Sequence, residues 1–284
     1  MILAVASGKG GTGKTTLAVN IARVIEEPVQ LLDCDVEEPN VHLFLPPHGS
    51  HTEEISISIP EPREELCNGC GECSEFCQFN ALVVLNKVPL VFPELCHSCG
   101  GCLVLCPQKA LREVPRPIGI VETWRQDSIT VIQGRLNVGV AMSPPLIRAV
   151  KARMKPGMTT VLDAPPGTSC PVITTVRGAD VSLLVTEPTP FGFHDLKLAV
   201  GMVRKLGVPF GVVINRSDIG DDRVVKFCEE EGIPVLGEIP EDRRIAEAYS
   251  RGDILVDVLP EYRPLFKEIA VKIRDIGGVG NAYL

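Results

Sequence analysis

The sequence predicts an α/β protein with a doubly wound, mainly parallel sheet and a small α+β module inserted near the N-terminus. Three observations carry this. Apolar runs of strand length alternate with helix-period segments along most of the chain, the pattern of βα units. A glycine-rich loop joins the first such run to the first helix. Eight of the eleven cysteines crowd between Cys67 and Cys106, where the alternation breaks.

Taken in order, Ile2 to Ala6 reads as a buried strand, Thr15 to Ile25 as a helix and Val29 to Asp33 as the next strand. Further strands are expected at Thr159 to Asp163, Val181 to Thr186, Phe210 to Asn215 and Val235 to Ile239. Helices are expected at Asp195 to Leu206, Val224 to Glu231 and Tyr262 to Ile276. The last places Phe266, Ile269, Ala270 and Ile273 on one face and carries mixed charge elsewhere, so it packs on the sheet. Proline clusters at Pro46, Pro47, Pro60 and Pro62 and at Pro115 and Pro117 mark the seams of the insertion. The module is drawn at 61–116, leaving 1–60 and 117–284 as one discontinuous domain.

Composition narrows the functions. A chain of 284 residues, 45% hydrophobic, can bury a proper core. A net charge of -8 and the lack of a basic stripe argue against nucleic acid as a partner. No basic n-region precedes a long apolar stretch, and no run reaches the roughly 18 apolar residues of a bilayer span. A cytoplasmic protein without stable membrane insertion is expected, and in that reducing compartment eleven cysteines point to metal ligation.

Gly8-Lys9-Gly10-Gly11-Thr12-Gly13-Lys14-Thr15 fits the phosphate-binding template G-x4-G-K-S/T, after a predicted strand and before a predicted helix. Glycines let the backbone wrap the phosphates, Lys14 supplies positive charge to them, and the Thr15 hydroxyl can ligate Mg2+. Thr16 follows in the same turn. A glycine-rich helix cap would account for the glycines alone but not for the lysine and threonine in this context.

Lys9 is a second lysine that an ordinary P-loop does not need, and a solvated surface charge is the plain alternative. At this residue the loop resembles the deviant-Walker ATPases, the MinD, ParA and nitrogenase iron protein class. In them the extra lysine reaches across a nucleotide-sandwich dimer to the partner's phosphates, so the resemblance implies an ATP-dependent homodimer. Leu32-Asp33-Cys34-Asp35 looks like the family's first switch, which implies that Asp35 orients the attacking water and that Asp33 lies near Mg2+. Val161-Leu162-Asp163-Ala164-Pro165-Pro166-Gly167 resembles the second switch, with Asp163 holding a Mg2+ water and the Gly167 N–H facing the γ-phosphate. Val213-Ile214-Asn215-Arg216 resembles the adenine-recognition segment, and Ile239-Pro240-Glu241-Asp242 the loop over the base. A lone aspartate at a strand's end is more often a cap or turn residue. Three at the carboxyl edge of one α/β sheet, beside a P-loop, point instead to a ligand site.

Cys67-x2-Cys70-x2-Cys73-x3-Cys77 recurs at a fixed offset as Cys96-x2-Cys99-x2-Cys102-x3-Cys106, an internal duplication. Each run follows the bacterial ferredoxin spacing. Zinc ribbons use cysteine pairs rather than triplets, so iron-sulfur clusters are favoured over zinc. The resemblance to two-cluster ferredoxins implies two 4Fe-4S clusters, one on Cys67, Cys70, Cys73 and Cys106 and one on Cys96, Cys99, Cys102 and Cys77. One departure is Gln78, where the motif has proline. His97 reads as a surface loop residue, and Cys34, Cys170 and Cys228 as ordinary small residues.

Nearly the whole chain therefore resembles MinD-superfamily P-loop ATPases with an inserted ferredoxin domain. The resemblance implies binding of ATP or ADP with Mg2+, hydrolysis, and hand-over of electrons or metal clusters to a partner, such as a small iron-molybdenum cofactor-binding-type or other redox or cluster protein. The alternative is a nucleotide-gated scaffold or positioning ATPase whose clusters are structural. A DNA-partitioning role is disfavoured by the acidic composition.

Overall fold

A computed structural model describes residues 1–278 of the chain. Eleven strands occur among them: β1 (Ile2–Ala6), β2 (Val29–Asp33), β3 (His51–Pro62), β4 (Leu82–Leu85), β5 (Val88–Val91), β6 (Leu111–Gln126), β7 (Ile129–Leu136), β8 (Thr159–Asp163), β9 (Val181–Thr186), β10 (Phe210–Asn215) and β11 (Val235–Ile239). Nine of them form one sheet in the order β11-β10-β9-β1-β8-β2-β7-β6-β3. All pairings from β11 to β7 are parallel, and β6 runs antiparallel to both β7 and β3.

The central strands are apolar on both sides because both faces are covered. In β1, Leu3 and Val5 join one buried cluster with Leu17 and Ile21 of helix Lys14–Val24 and Phe266, Ile269 and Ile273 of helix Arg263–Ile276. Ala4 and Ala6 join the other, with helices Pro144–Lys151, Cys170–Val176, Pro190–Leu206 and Arg223–Glu230. The six strands expected from the sequence lie at their expected residues. Helix Pro190–Leu206 starts before the expected Asp195, because Thr189 Oγ1 accepts the Gly192 amide at 3.0 Å and caps it.

The proline-marked seams lie inside paired strands. Pro60 and Pro62 belong to β3 and Pro115 and Pro117 to β6, so the positions 61 and 116 fall within one long antiparallel arm. Proline is tolerated here because β3 is the sheet edge, and among the described residues the Leu111–Ile118 part of β6 has β3 as its sole strand neighbour. The cysteine segment continues from the arm's end, where the Arg63 amide donates to the Ala110 carbonyl at 2.7 Å. Its own sheet is the hairpin β4–β5.

The arm also has an apolar inner face. Ile57 and Ile59 share a cluster with Ile118 and Leu146 on the sheet side and with Ala81 and Cys96 on the cysteine side. Among the described residues no helix is long and apolar enough to cross a membrane.

Candidate functional site: a P-loop cleft and two cysteine-lined cavities

The loop between β1 and helix Lys14–Val24 turns through Gly11 and Gly13 at φ 76° and 93°, a region that side chains other than glycine rarely adopt. Gly8 is required for a different reason. A Cβ there would sit 2.2 Å from the carbonyl oxygen of Asp195, so only glycine lets the loop press onto helix Pro190–Leu206. Gly10, Gly11, Gly13, Lys14, Thr15 and Thr16 line an open cleft of about 1270 Å3, closed on its far side by Asn215, Arg216 and Pro240. The carboxyl ends of β2, β8 and β10 supply the other polar groups, as expected for an open α/β sheet.

Lys14 is 7% exposed, and burial lowers its pKa against the pull of Asp163 and Asp35. Asp163 is buried, which pushes its pKa up to about 7. Its Oδ2 accepts the Thr15 hydroxyl at 2.6 Å, while its Oδ1 has no partner among the described residues. Asp35 lines the cleft, and burial raises its pKa to about 6, helped by Glu38 and Glu37 and opposed by Lys14. An orphaned carboxylate oxygen beside a threonine hydroxyl, in a site with more carboxylates than lysines, fits a hydrated divalent cation.

Several expected site residues are engaged elsewhere. Asp33 is fully buried, and its carboxylate accepts the amides of Asp35, Asn40 and Val41 at 3.1, 2.9 and 3.0 Å. Burial and the nearby Asp163 carboxylate raise its pKa, while the Val41 and Asn40 amides oppose the rise. It latches the segment after β2 rather than facing the cleft. The Gly167 N–H donates to the Ser7 carbonyl at 3.0 Å, so it is not presented to the cleft. Thr12 is buried, and its hydroxyl has no partner among the described residues. Asn215 Nδ2 donates to the Thr12 carbonyl at 2.9 Å, tying the end of β10 to the P-loop. Arg216, at φ 53°, pairs with Glu187 at 3.5 Å and Glu241 at 3.1 Å. Lys9 turns back onto the same Glu187 at 2.9 Å. Sequence reasoning missed Glu187, since a glutamate after a strand carries no motif of its own.

The cysteine runs repeat in backbone as well as in spacing. Helices Glu72–Phe76 and Gly101–Leu105 correspond, as do the positive φ angles of Gly69 and Ser98, Gly71 and Gly100, and Asn80 and Lys109. Cys67, Cys70, Cys73 and Cys106 border one cavity of about 350 Å3. Cys77, Cys96, Cys99 and Cys102 border another of about 740 Å3. The Ala110 amide donates to Cys106 Sγ at 3.2 Å and the Ala81 amide to Cys77 Sγ at 3.3 Å. The turn carrying Gln78 thus matches the one carrying Pro107, because the amide-to-sulfur bond and the positive φ two residues on close both. Among the described residues no three His, Cys, Asp or Glu side chains converge tightly enough to hold a single ion. Sulfurs spread around a cavity fit a multi-iron cluster. His97 is the exposed loop residue expected, and its ring stacks on Phe79 at 3.5 Å beside the second cavity.

Fold and cleft together define a P-loop nucleotide-binding protein of the MinD type. Residues 3–256 match the model of the CobQ/CobB/MinD/ParA nucleotide-binding domain, and the chain belongs to that family of P-loop ATPases. It is 31% identical over 268 residues to an uncharacterized protein, MJ0579, of Methanocaldococcus jannaschii, covering 89% of this chain and 90% of that one. It is 26% identical over 304 residues to an iron-sulfur cluster carrier protein of Pyrococcus horikoshii, covering 98% and 88%. Among solved structures, the septum site-determining protein MinD of Pyrococcus horikoshii with Mg-ADP aligns over 99% of each chain at TM-score 0.58 and 18% identity. That likeness establishes the shared fold.

Proposed function

We propose that this chain is an Mg-ATP-binding and -hydrolysing iron-sulfur protein in which nucleotide-driven dimerisation and switch movement govern electron transfer or metal-cluster assembly on a partner protein. The observation that carries the coupling is one hydrogen bond. The carbonyl of Val36, next to the cleft residue Asp35, accepts the amide of Leu136 at the end of β7 at 2.8 Å. β7 pairs with β6 and β6 with β3, and these two strands form the arm that ends at the cysteine module. Movement of Asp35 and Val36 therefore pulls on the base of the arm.

A second link starts from the segment after Asp163. Lys151 Nζ donates to the carbonyls of Thr174, Thr175 and Arg177 at 2.9, 2.7 and 2.8 Å, capping the helix that follows Gly167. Lys151 ends a helix that packs on β6 and β7. Both loops flanking the triphosphate position thus reach the arm.

In the hydrolytic step Asp35 takes a hydrogen bond from the attacking water, which adds to the γ-phosphorus as the bond to the bridging oxygen breaks. Lys14 and the loop amides stabilise the charge that spreads over the phosphate oxygens. Mg2+ would be held by Thr15, with Asp163 Oδ1 accepting from a metal-bound water and Asp33 holding the switch segment in place. Lys9 serves the partner protomer's phosphates, and Asn215, Arg216 and Pro240 form the base side. A bound 4Fe-4S cluster supplies a one-electron couple at each cysteine set. The discontinuous ATPase domain and the inserted module are read as separate working parts, and a small iron-molybdenum cofactor-binding-type or other cluster protein suits the module as partner. The scaffold reading draws on one observation, the packing of Cys73 and Cys102 against Leu82 and Leu111 in the module's own small core.

The test is ATP turnover on anaerobically purified protein before and after dithionite reduction, with low-temperature EPR spectra of the same samples with and without ATP. Dependence of turnover on reduction, or of the spectrum on ATP, is expected. If neither responds to the other, the scaffold reading replaces this one.

A further inference from the structure

Glu187 stands at the end of β9 with 5% of its surface exposed, and two cations share it. Lys9 Nζ lies 2.9 Å from its Oε2 and Arg216 Nη1 lies 3.5 Å from its Oε1. The backbones at both ends of the Lys9 pair are held firmly. Gly8 presses against the Asp195 carbonyl, and the Lys9 carbonyl accepts the Ser7 hydroxyl at 2.5 Å. The Glu187 carbonyl accepts the Thr189 amide at 2.8 Å, and Thr189 caps the next helix. Only side-chain torsions remain to make or break the pair, and the Lys9 side chain keeps 31% of its surface in solvent.

A buried carboxylate that loses its sole counter-ion is strongly disfavoured. Here Arg216 prevents that, because its guanidinium remains on Glu187 when Lys9 leaves. The same guanidinium reaches Glu241, which lines the base side of the nucleotide cleft, at 3.1 Å. We propose that Glu187 is a positioning residue that latches Lys9 away from phosphate in the nucleotide-free protomer, and that Arg216 takes over the carboxylate when Lys9 departs. Phosphate oxygens compete with the Glu187 carboxylate for one ammonium group, so the latch sets the ATP concentration at which Lys9 is released. This rests on the reading above that Lys9 serves phosphate across a dimer.

Two variants test it, each with two readouts. In Glu187→Gln the neutral amide keeps the shape and loses the charge. Lys9 acylation by an amine-reactive ester, read by mass spectrometry on nucleotide-free protein, is expected to rise by about threefold or more, and the ATP concentration for half-maximal dimer to fall on the order of 3- to 10-fold. In Arg216→Met, at an exposed position that does not endanger folding, Glu187 has Lys9 alone, so acylation slows and the midpoint rises. Unchanged Lys9 acylation in both folded variants overturns the latch. If Glu187→Gln does not fold, a Lys9 acylation rate in Arg216→Met equal to wild type overturns it. If acylation shifts as stated but wild-type protein stays monomeric at saturating ATP, the latch stands and the dimer reading fails.

Discussion

At the scale of single residues, burial sets the protonation of the two carboxylates at the cleft. Asp163 and Asp35, raised from 3.8 to about 7 and about 6, bind protons more tightly in the folded chain than in the unfolded one. The folded state then holds more protons between roughly pH 4 and 7, so stability falls as pH rises through that window. Thermal melting without nucleotide is expected to drop between about pH 5 and pH 7.5, and Asp163→Asn to flatten the slope. An unchanged slope in that variant would show that other groups carry the dependence. The aspartates were legible because each lies at or just past a strand's carboxyl end beside a P-loop. Their engagements were not: Asp33 looks like Asp163 in sequence, but three backbone amides close over it and one threonine hydroxyl leaves Asp163 half unpaired.

At the scale of elements, six of the parallel strands could be read directly because each is a short apolar run bounded by turns and buried on both faces. β6 and β7 were missed, although Asp127 and Ser128 make a two-residue turn between β-branched runs, with Asp127 at φ 51°. β3 alternates glutamate and serine with isoleucine, the mark of a half-buried strand, and its prolines masked it. The contact between β7 and the segment that follows β2 is tight. A Cβ on Gly134 would lie 2.5 Å from Val36 Cγ1 and 2.7 Å from Val150 Cγ2. Gly134→Ala should cost about 1–3 kcal/mol in denaturant unfolding and weaken ATP turnover, because Val36 must yield. Normal turnover with normal stability would mean that the switch does not lean on β7.

At the scale of the whole molecule, the cysteine segment is joined to the P-loop fold by an arm whose end is already closed. Arg63 and Ala110 are hydrogen-bonded there, and Pro62 opposes Leu111. Replacing 64–109 with an Asn-Gly turn should leave a folded chain that binds nucleotide and no iron. Some stability is lost, since Ile57 and Ile59 lose their contact with the Ala81 and Cys96 cluster. Loss of nucleotide binding in that variant would mean the two parts fold as one. The module's orientation on the arm is held by Ser98 Oγ donating to the Ser58 carbonyl at 2.7 Å and by Arg116, whose guanidinium meets the Pro93 carbonyl and Glu94.

By itself the sequence determined the P-loop, six of the parallel strands and the duplicated cysteine runs, because each depends on spacing within a few residues or on periodic burial. Tertiary structure alone decided that Glu187 holds Lys9, that Val36 is bonded to Leu136, and that prolines sit within an arm rather than at its borders. These depend on which distant strand ends meet, and no local pattern records that.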